Sequence, residues 1–266
     1  MNKITNSPIG IFDSGIGGTS IWKEIYTLLP NEHTIYLADS INAPYGQKSK
    51  EEIIHLSKKN TEFLLNKNAK IIVVACNTAT TNAIKYLREH YDVPFIGIEP
   101  AIKPASLQTQ TNVIGILATK GTLNSELFEK TSSLLDNNIT IIEQVGEGLV
   151  DLIERGLINT PQMDLLLKKY INPMLHKKAD CIVLGCTHYP YLIDAIKRIT
   201  GNSVQLIDSG EAVAKQTQNV LEQHHLLNTT KTKTASHLFY INKNKAVLEN
   251  ILKTINPSLI VNELSF

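Results

Sequence analysis

Ile71-Ile72-Val73-Val74-Ala75-Cys76-Asn77-Thr78 is an unbroken apolar run that ends in a thiol and two hydrogen-bonding side chains. A strand with one wet face alternates apolar and polar residues, whereas a parallel strand covered on both faces is apolar throughout. The run is therefore read as a buried parallel strand. Before it, residues 50–65 repeat apolar residues at helical spacing (Ile53, Ile54, Leu56, Phe63, Leu64), and residues 78–90 after it read as a second helix. Further out, strands are expected at 9–12, 34–38 and 94–98, and a helix at 20–29. Alternating strands and helices imply a parallel sheet clad in helices.

The same pattern then restarts. Val183-Leu184-Gly185-Cys186-Thr187-His188 can be laid over Val73-Val74-Ala75-Cys76-Asn77-Thr78, and the strand starting at Ile114 over the one starting at Ile9, at offsets of 110 and 105 residues. Strands are expected at 113–118, 140–144 and 181–185, with helices at 124–135, 149–155, 162–175 and 190–199. Strands at 204–207, 237–241 and 258–261 and helices at 210–224 and 245–255 complete the reading. The fold class is α/β, as two pseudo-symmetric parallel-sheet lobes. One lobe is expected from 1–98 with 207–266, the other from 99–206.

Composition narrows the function. The chain has 266 residues and a net charge of +1, with acidic and basic residues interspersed. Neither a nucleic-acid surface nor a polybasic membrane patch is expected. No apolar run approaches the ~20 residues that span a bilayer, and residues 1–8 are polar and lead straight into a strand. No signal peptide is read there, so a cytoplasmic protein is expected. The three cysteines, Cys76, Cys181 and Cys186, are an odd number and form no CxxC pair or zinc spacing. Neither a disulfide framework nor a metal site is expected, which leaves the thiols as buried filler or as chemistry.

In an open parallel sheet, ligands bind beyond the carboxyl ends of strands. Cys76 and Cys186 both stand there, each before a helix whose N-terminus lowers a thiol pKa. A lone cysteine is usually a small buried hydrophobe, and Cys181, at the start of its strand, is read so. Two cysteines closing matched strands argue against filler. Asn77, Thr78 and Thr187 offer donors for a carboxylate, and His188 either relays protons with Cys186 or caps a turn. Asp13-Ser14-Gly15-Ile16-Gly17-Gly18-Thr19 follows a strand and precedes a helix. It reads as a tight capped turn or an anion site. A dinucleotide fingerprint fits poorly, because position 20 is Ser and Asp13 would repel pyrophosphate. Residues 39–46 form a loop that either closes over a ligand or merely connects. Glu154 ends an amphipathic helix before Gly156, where a solvated charge is the plain reading.

Inverting a stereocentre by proton transfer needs one group to take the α-proton and another, on the opposite face, to return one. Two lobes that each present a thiol supply such a pair, and a thiol reaches both protonation states near neutrality. Helix N-termini aimed at the α-carboxylate would stabilise the carbanion-like transition state. Nothing in the sequence suggests pyridoxal phosphate or another cofactor.

Gly10-Ile11-Phe12-Asp13-Ser14-Gly15-Ile16-Gly17-Gly18, Ala43-Pro44-Tyr45-Gly46, Ala75-Cys76-Asn77-Thr78-Ala79-Thr80 and Leu184-Gly185-Cys186-Thr187-His188-Tyr189-Pro190 resemble the glutamate racemase family. The resemblance runs from about Pro8 to about Glu211. It implies two α/β lobes with the active site between them, and interconversion of L- and D-glutamate without a cofactor, supplying D-glutamate for peptidoglycan. It implies that Cys76 deprotonates D-glutamate and Cys186 L-glutamate, with Asp13 and His188 assisting. Asp13, Ser14, Tyr45, Gly46, Asn77, Thr78, Thr187 and His188 match substrate-holding positions, and Glu154 a supporting acidic one. The expected partner is glutamate, within a homodimer. Val145-Gly146-Glu147-Gly148-Leu149 departs from the Cys-Pro-Leu-type segment common in that family, which leaves the packing there open. The residues alone also admit an aspartate or other acidic amino-acid racemase, a two-lobed binding protein without turnover, or a one-thiol hydrolase with an idle second cysteine.

Overall fold

The computed structural model describes residues 5–230 and 235–266. The N-terminal residues 1–4, part of the polar lead-in read from the sequence, lie outside the described residues. Strands β1 (Ile9–Asp13), β2 (Thr34–Ala38), β3 (Ile71–Val74) and β4 (Phe95–Gly97) alternate with helices α1 (Thr19–Leu28), α2 (Lys50–Asn66) and α3 (Asn77–His90). Then α4 (Ile102–Gln108) leads into β5 (Val113–Ala118), α5 (Lys120–Leu123), α6 (Glu126–Ser133) and β6 (Thr140–Val145). Next come α7 (Leu149–Glu154), α8 (Pro161–His176), β7 (Cys181–Gly185), α9 (Ile193–Thr200) and β8 (Gln205–Ile207). The chain finishes with α10 (Gly210–Gln223), β9 (His237–Ile241), α11 (Lys245–Lys253) and β10 (Ile260–Glu263).

Two parallel sheets result, in the orders β10-β9-β2-β1-β3-β4 and β6-β5-β7-β8. Residues of β1, β3 and β7 are buried throughout, as two-sided covering demands. After β8 the chain packs α10 on α1 and then adds β9 and β10 beside β2, extending the first sheet. Among the described residues no helix is long and apolar enough to cross a membrane.

Three elements differ from the sequence reading. Helix α4 was not expected, because it is short and carries Pro104 in its first turn, where a missing N–H costs nothing. The helix read at 124–135 is α6 alone, where Ser125 caps it by accepting from Phe128 N, and the one-turn α5 before it was not expected. Segment 190–199 opens with a 3-10 turn, Tyr189–Leu192, before α9 begins.

Candidate active site

Register brings the first half of the site together. β1 pairs with β3 with Phe12 opposite Val74, so the residues that follow, Asp13 and Ser14, emerge beside Cys76. Cys76 is the N-cap of α3. Its sulfur accepts from Ala79 N at 3.5 Å and donates to Ser14 Oγ at 3.6 Å. From sequence, the helix N-terminus is expected to lower this thiol's pKa. The structure reverses that sign. Burial and the neighbouring Asp13 charge push the thiol up, and they outweigh the Ala79 N–H and the Ser14 hydroxyl. Asp13 is fully buried, and burial raises its carboxyl too. Its Oδ2 accepts from Gly18 N at 2.9 Å and Gly15 N at 3.3 Å, so the carboxylate braces the turn into α1.

The second half is built around a histidine. His188 is buried, with Nδ1 3.7 Å from the Cys186 sulfur and Nε2 2.6 Å from Glu154 Oε1. Burial disfavours its charge, yet hydrogen bonds to Cys186 and Glu154 outweigh burial and raise the imidazole pKa well above its usual value. Glu154 is therefore not a solvated charge: it is buried and also accepts from Ile16 N at 2.6 Å and Ser40 Oγ at 2.8 Å. Helical spacing could not reveal this, because those partners lie in the other lobe. Thr187 Oγ1 donates to Asp13 Oδ1 at 3.4 Å and its carbonyl accepts from Ser20 Oγ at 2.9 Å. The two halves are thus hydrogen-bonded to each other at the floor of the site.

Gly15 and Gly17 show why this floor needs glycine. A Cβ on Gly15 would stand 1.9 Å from Glu154 Oε1, and one on Gly17 2.3 Å from His188 Nδ1. The turn of one lobe is moulded against the histidine–glutamate pair of the other.

Ser14, Tyr45, Gly46, Cys76, Asn77, Thr78, Cys186, Thr187 and His188 all line one cavity, together with Pro44, Thr119 and Val150. At about 10 Å³ it has room for a water-sized sphere, so the lobes stand closed. Both amide atoms of the Asn77 side chain are buried without a hydrogen-bond partner, a costly arrangement that a bound polar molecule would relieve. Tyr45 lines the cavity, but its hydroxyl is committed elsewhere, donating to Asp39 Oδ2 at 2.6 Å. The sequence reading missed Thr119 and Thr122. Their hydroxyls meet Thr78 Oγ1 at 2.8 and 3.3 Å across the lobes. The signal was present, since laying β5 over β1 puts Thr119 on Ser14. Cys181 is buried in the core of the second sheet, away from this wall. Among the described residues no group of three His, Cys, Asp or Glu side chains is placed to hold a metal ion.

The atypical segment Val145-Gly146-Glu147-Gly148 forms the wall of an adjoining outer cavity of about 280 Å³ with Pro44, Gly46, Gln47, Thr119, Lys120, Val150 and Asp151. Gly146 is required there, because a Cβ would fall 2.3 Å from the Tyr189 hydroxyl.

The profile of the Asp/Glu/hydantoin racemases matches residues 16–217, most of the chain and all but the first strand of this site. The chain belongs to that family. A glutamate racemase from Herpetosiphon aurantiacus is 47% identical over 223 residues, covering 84% of this chain and 88% of that protein. In fold, the family resemblance extends to nearly the whole molecule. The crystal structure of a glutamate racemase isoform from Bacillus anthracis superposes with a TM-score of 0.87 at 31% identity, covering 98% of each chain. That of the Francisella tularensis glutamate racemase, solved in complex with D-glutamate, gives 0.83 at 32% identity, again covering 98% of each.

The buried proton sites set an expected pH dependence of stability. His188 holds its proton more tightly in the folded chain than an ordinary imidazole at 6.5, and Cys76 more tightly than an ordinary thiol at 9.0. Each contributes stability that is complete below its unfolded value and drains away as pH rises towards its folded one. Urea midpoints should therefore fall steadily from pH 6 to pH 10. Glu154→Gln, which withdraws the counter-charge of His188, should flatten the neutral part of that slope; an unchanged slope would show that His188 is not held protonated.

Proposed function

We propose that this chain racemises glutamate, with Cys76 and Cys186 exchanging the α-proton on opposite faces of the substrate. The observation that carries the proposal is that these two free thiols, closing equivalent strands of two lobes, line a single buried cavity. The glutamate racemases that it resembles over most of its length support the substrate. Cys76 is the base towards D-glutamate in this reading and Cys186 the base towards L-glutamate. In each direction the base takes the α-proton as its sulfur becomes a thiol, and the opposite thiol gives one back.

The two thiols would work by different means. Cys76 is held protonated by burial, which suits it to donate, and the raised Asp13 carboxyl beside it can take up a proton when the sulfur must ionise. Cys186 has an imidazolium at its side, itself backed by Glu154. Asn77, Thr78 and Thr187, with the N-terminus of α3, would bind the α-carboxylate, where charge accumulates in the transition state. Closure of the cavity on the substrate would exclude water and strengthen each of these interactions. The reading includes a cytoplasmic setting, where free thiols persist, a homodimer, which light scattering tests, and supply of D-glutamate to peptidoglycan.

The decisive experiment is incorporation of solvent deuterium at the α-carbon of L- and D-glutamate, with aspartate in parallel and no cofactor added. Exchange and inversion of glutamate are expected. Exchange of aspartate in place of glutamate would transfer the reading to another acid. Tight glutamate binding without exchange would make the chain a binding protein.

A further inference from the structure

Ser40 is the second residue of the loop between β2 and α2, and that loop carries Pro44, Tyr45 and Gly46 into the cavity wall. The Ser40 side chain turns away from the cavity and is buried, donating to Glu154 Oε2 at 2.8 Å. The other oxygen of the same carboxylate accepts from Ile16 N and faces His188 Nε2, each at 2.6 Å. Three segments therefore converge on the Glu154 carboxylate at the end of α7: the Gly-rich turn, the loop after β2 and the turn after β7. The terminal torsion of a glutamate is soft, so a carboxylate held at one oxygen can swivel. Ser40 removes that freedom, as the one partner of Oε2 among the described residues.

Ser40 is not needed to build the loop. Asp39 anchors it by accepting from the Tyr45 hydroxyl at 2.6 Å, Asn42 Nδ2 at 2.9 Å and Asn242 Nδ2 at 2.7 Å, and Ile41 N donates to Asn242 Oδ1 at 2.8 Å. What the Ser40 hydroxyl adds is a link between that loop and the histidine of the opposite lobe.

We infer that Ser40 is a positioning residue for proton transfer at Cys186, fixing the Glu154 carboxylate on His188 only when the substrate-lining loop is seated. Seating the loop and placing the imidazole's proton become one event. The inference rests on the functional reading above and names a residue that it does not use. The titratable groups facing His188 are Cys186 beside it, Glu154 on α7 and Asp13 at the end of β1, with the Tyr36 and Tyr191 phenols bordering the last two. Ser40 carries no charge, so replacing it alters geometry without altering that set.

The test compares Ser40→Ala and Ser40→Thr with the native chain. The first measurement is an NMR titration of the labelled His188 imidazole, assigned with a His188→Asn variant. Ser40→Ala should lower its midpoint, and Ser40→Thr, which keeps the hydroxyl, should restore it. The second is the primary isotope effect with α-deuterated L- and D-glutamate. A lost hydrogen bond to a charged group predicts kcat/KM down about tenfold or more. The loss is equal in both directions, because the equilibrium constant of a racemisation is unity. The isotope effects should part: larger for L-glutamate, whose α-proton Cys186 removes, and smaller for D-glutamate, where return of a proton by Cys186 becomes limiting. General loosening of the fold would move both alike. Isotope effects that are unchanged or move together, or an unshifted His188, would overturn the inference. Should Ser40→Ala not fold, Ser40→Cys, with a weaker donor of similar size, takes its place with the same expectations. If the native chain exchanges no α-proton, the functional reading fails, and the titration alone decides the role of Ser40.

Discussion

Replacing Cys76 or Cys186 by alanine should lower racemisation of both glutamate enantiomers by about 10²–10⁴-fold, the range that a positioned acid or base contributes. Two features make this the largest single-residue effect expected. Each sulfur is the proton carrier proposed for one face, and alanine leaves no titratable group in its place within the cavity. The two variants should fail in different ways. Cys76→Ala keeps the Cys186–His188–Glu154 chain, so solvent deuterium should still enter L-glutamate slowly, without inversion. Cys186→Ala keeps Cys76 with Asp13 and Ser14, and exchange should survive on D-glutamate. Both cysteines end buried strands and alanine is smaller than cysteine, so the circular dichroism spectrum should match that of the native chain. A native rate in either variant would end the two-thiol reading, and loss in only one would favour the single-thiol hydrolase.

Gly17→Ala should cost about 100-fold in kcat/KM, although Gly17 carries no functional group. The added carbon would lie 2.3 Å from His188 Nδ1 and 2.5 Å from Cγ, well inside van der Waals contact. The ring cannot swing aside freely, because Nε2 is held by Glu154 and the side chain is buried. Relief therefore comes from moving the ring or the turn by about 1 Å, and displacement of that size can cost two orders of magnitude in rate. Overpacking should also take about 1–3 kcal/mol from stability, readable as a lower urea midpoint. Gly201→Ala offers a comparison: it meets no atom within 4 Å but has φ +64°, so it should lose stability and keep activity. If Gly17→Ala retained the native rate, the contact between turn and imidazole would have no part in catalysis.

Much of the fold was legible because its signal is local. The unbroken apolar runs of β1, β3, β5 and β7 announce two-sided burial, and the duplication of Val73–Thr78 in Val183–His188 announces two similar sheets. Short elements were less legible. Helices α4 and α5 are too brief for a period to show, and the start of α6 turns on the Ser125 cap, which a hydrophobic pattern does not register.

Within the site, the sequence named residues better than it named their states. Asp13, Ser14, Cys76, Asn77, Thr78, Cys186, Thr187 and His188 stand at strand ends, and strand ends in a parallel sheet converge on one edge whatever the details of packing. Glu154 read as solvated because its own helix offers no partner; Ile16, Ser40 and His188 reach it from elsewhere in the chain. The thiol of Cys76 read as acidified because a helix N-terminus is visible in sequence, whereas the burial that outweighs it is not. The amino-acid order by itself determined the two sheets, the matched thiols and the family. Only the tertiary structure decided which charges are buried, which carboxylate backs which histidine, and how tightly the lobes close. Those depend on desolvation and on contacts between residues far apart in the chain, and neither is written in any local pattern.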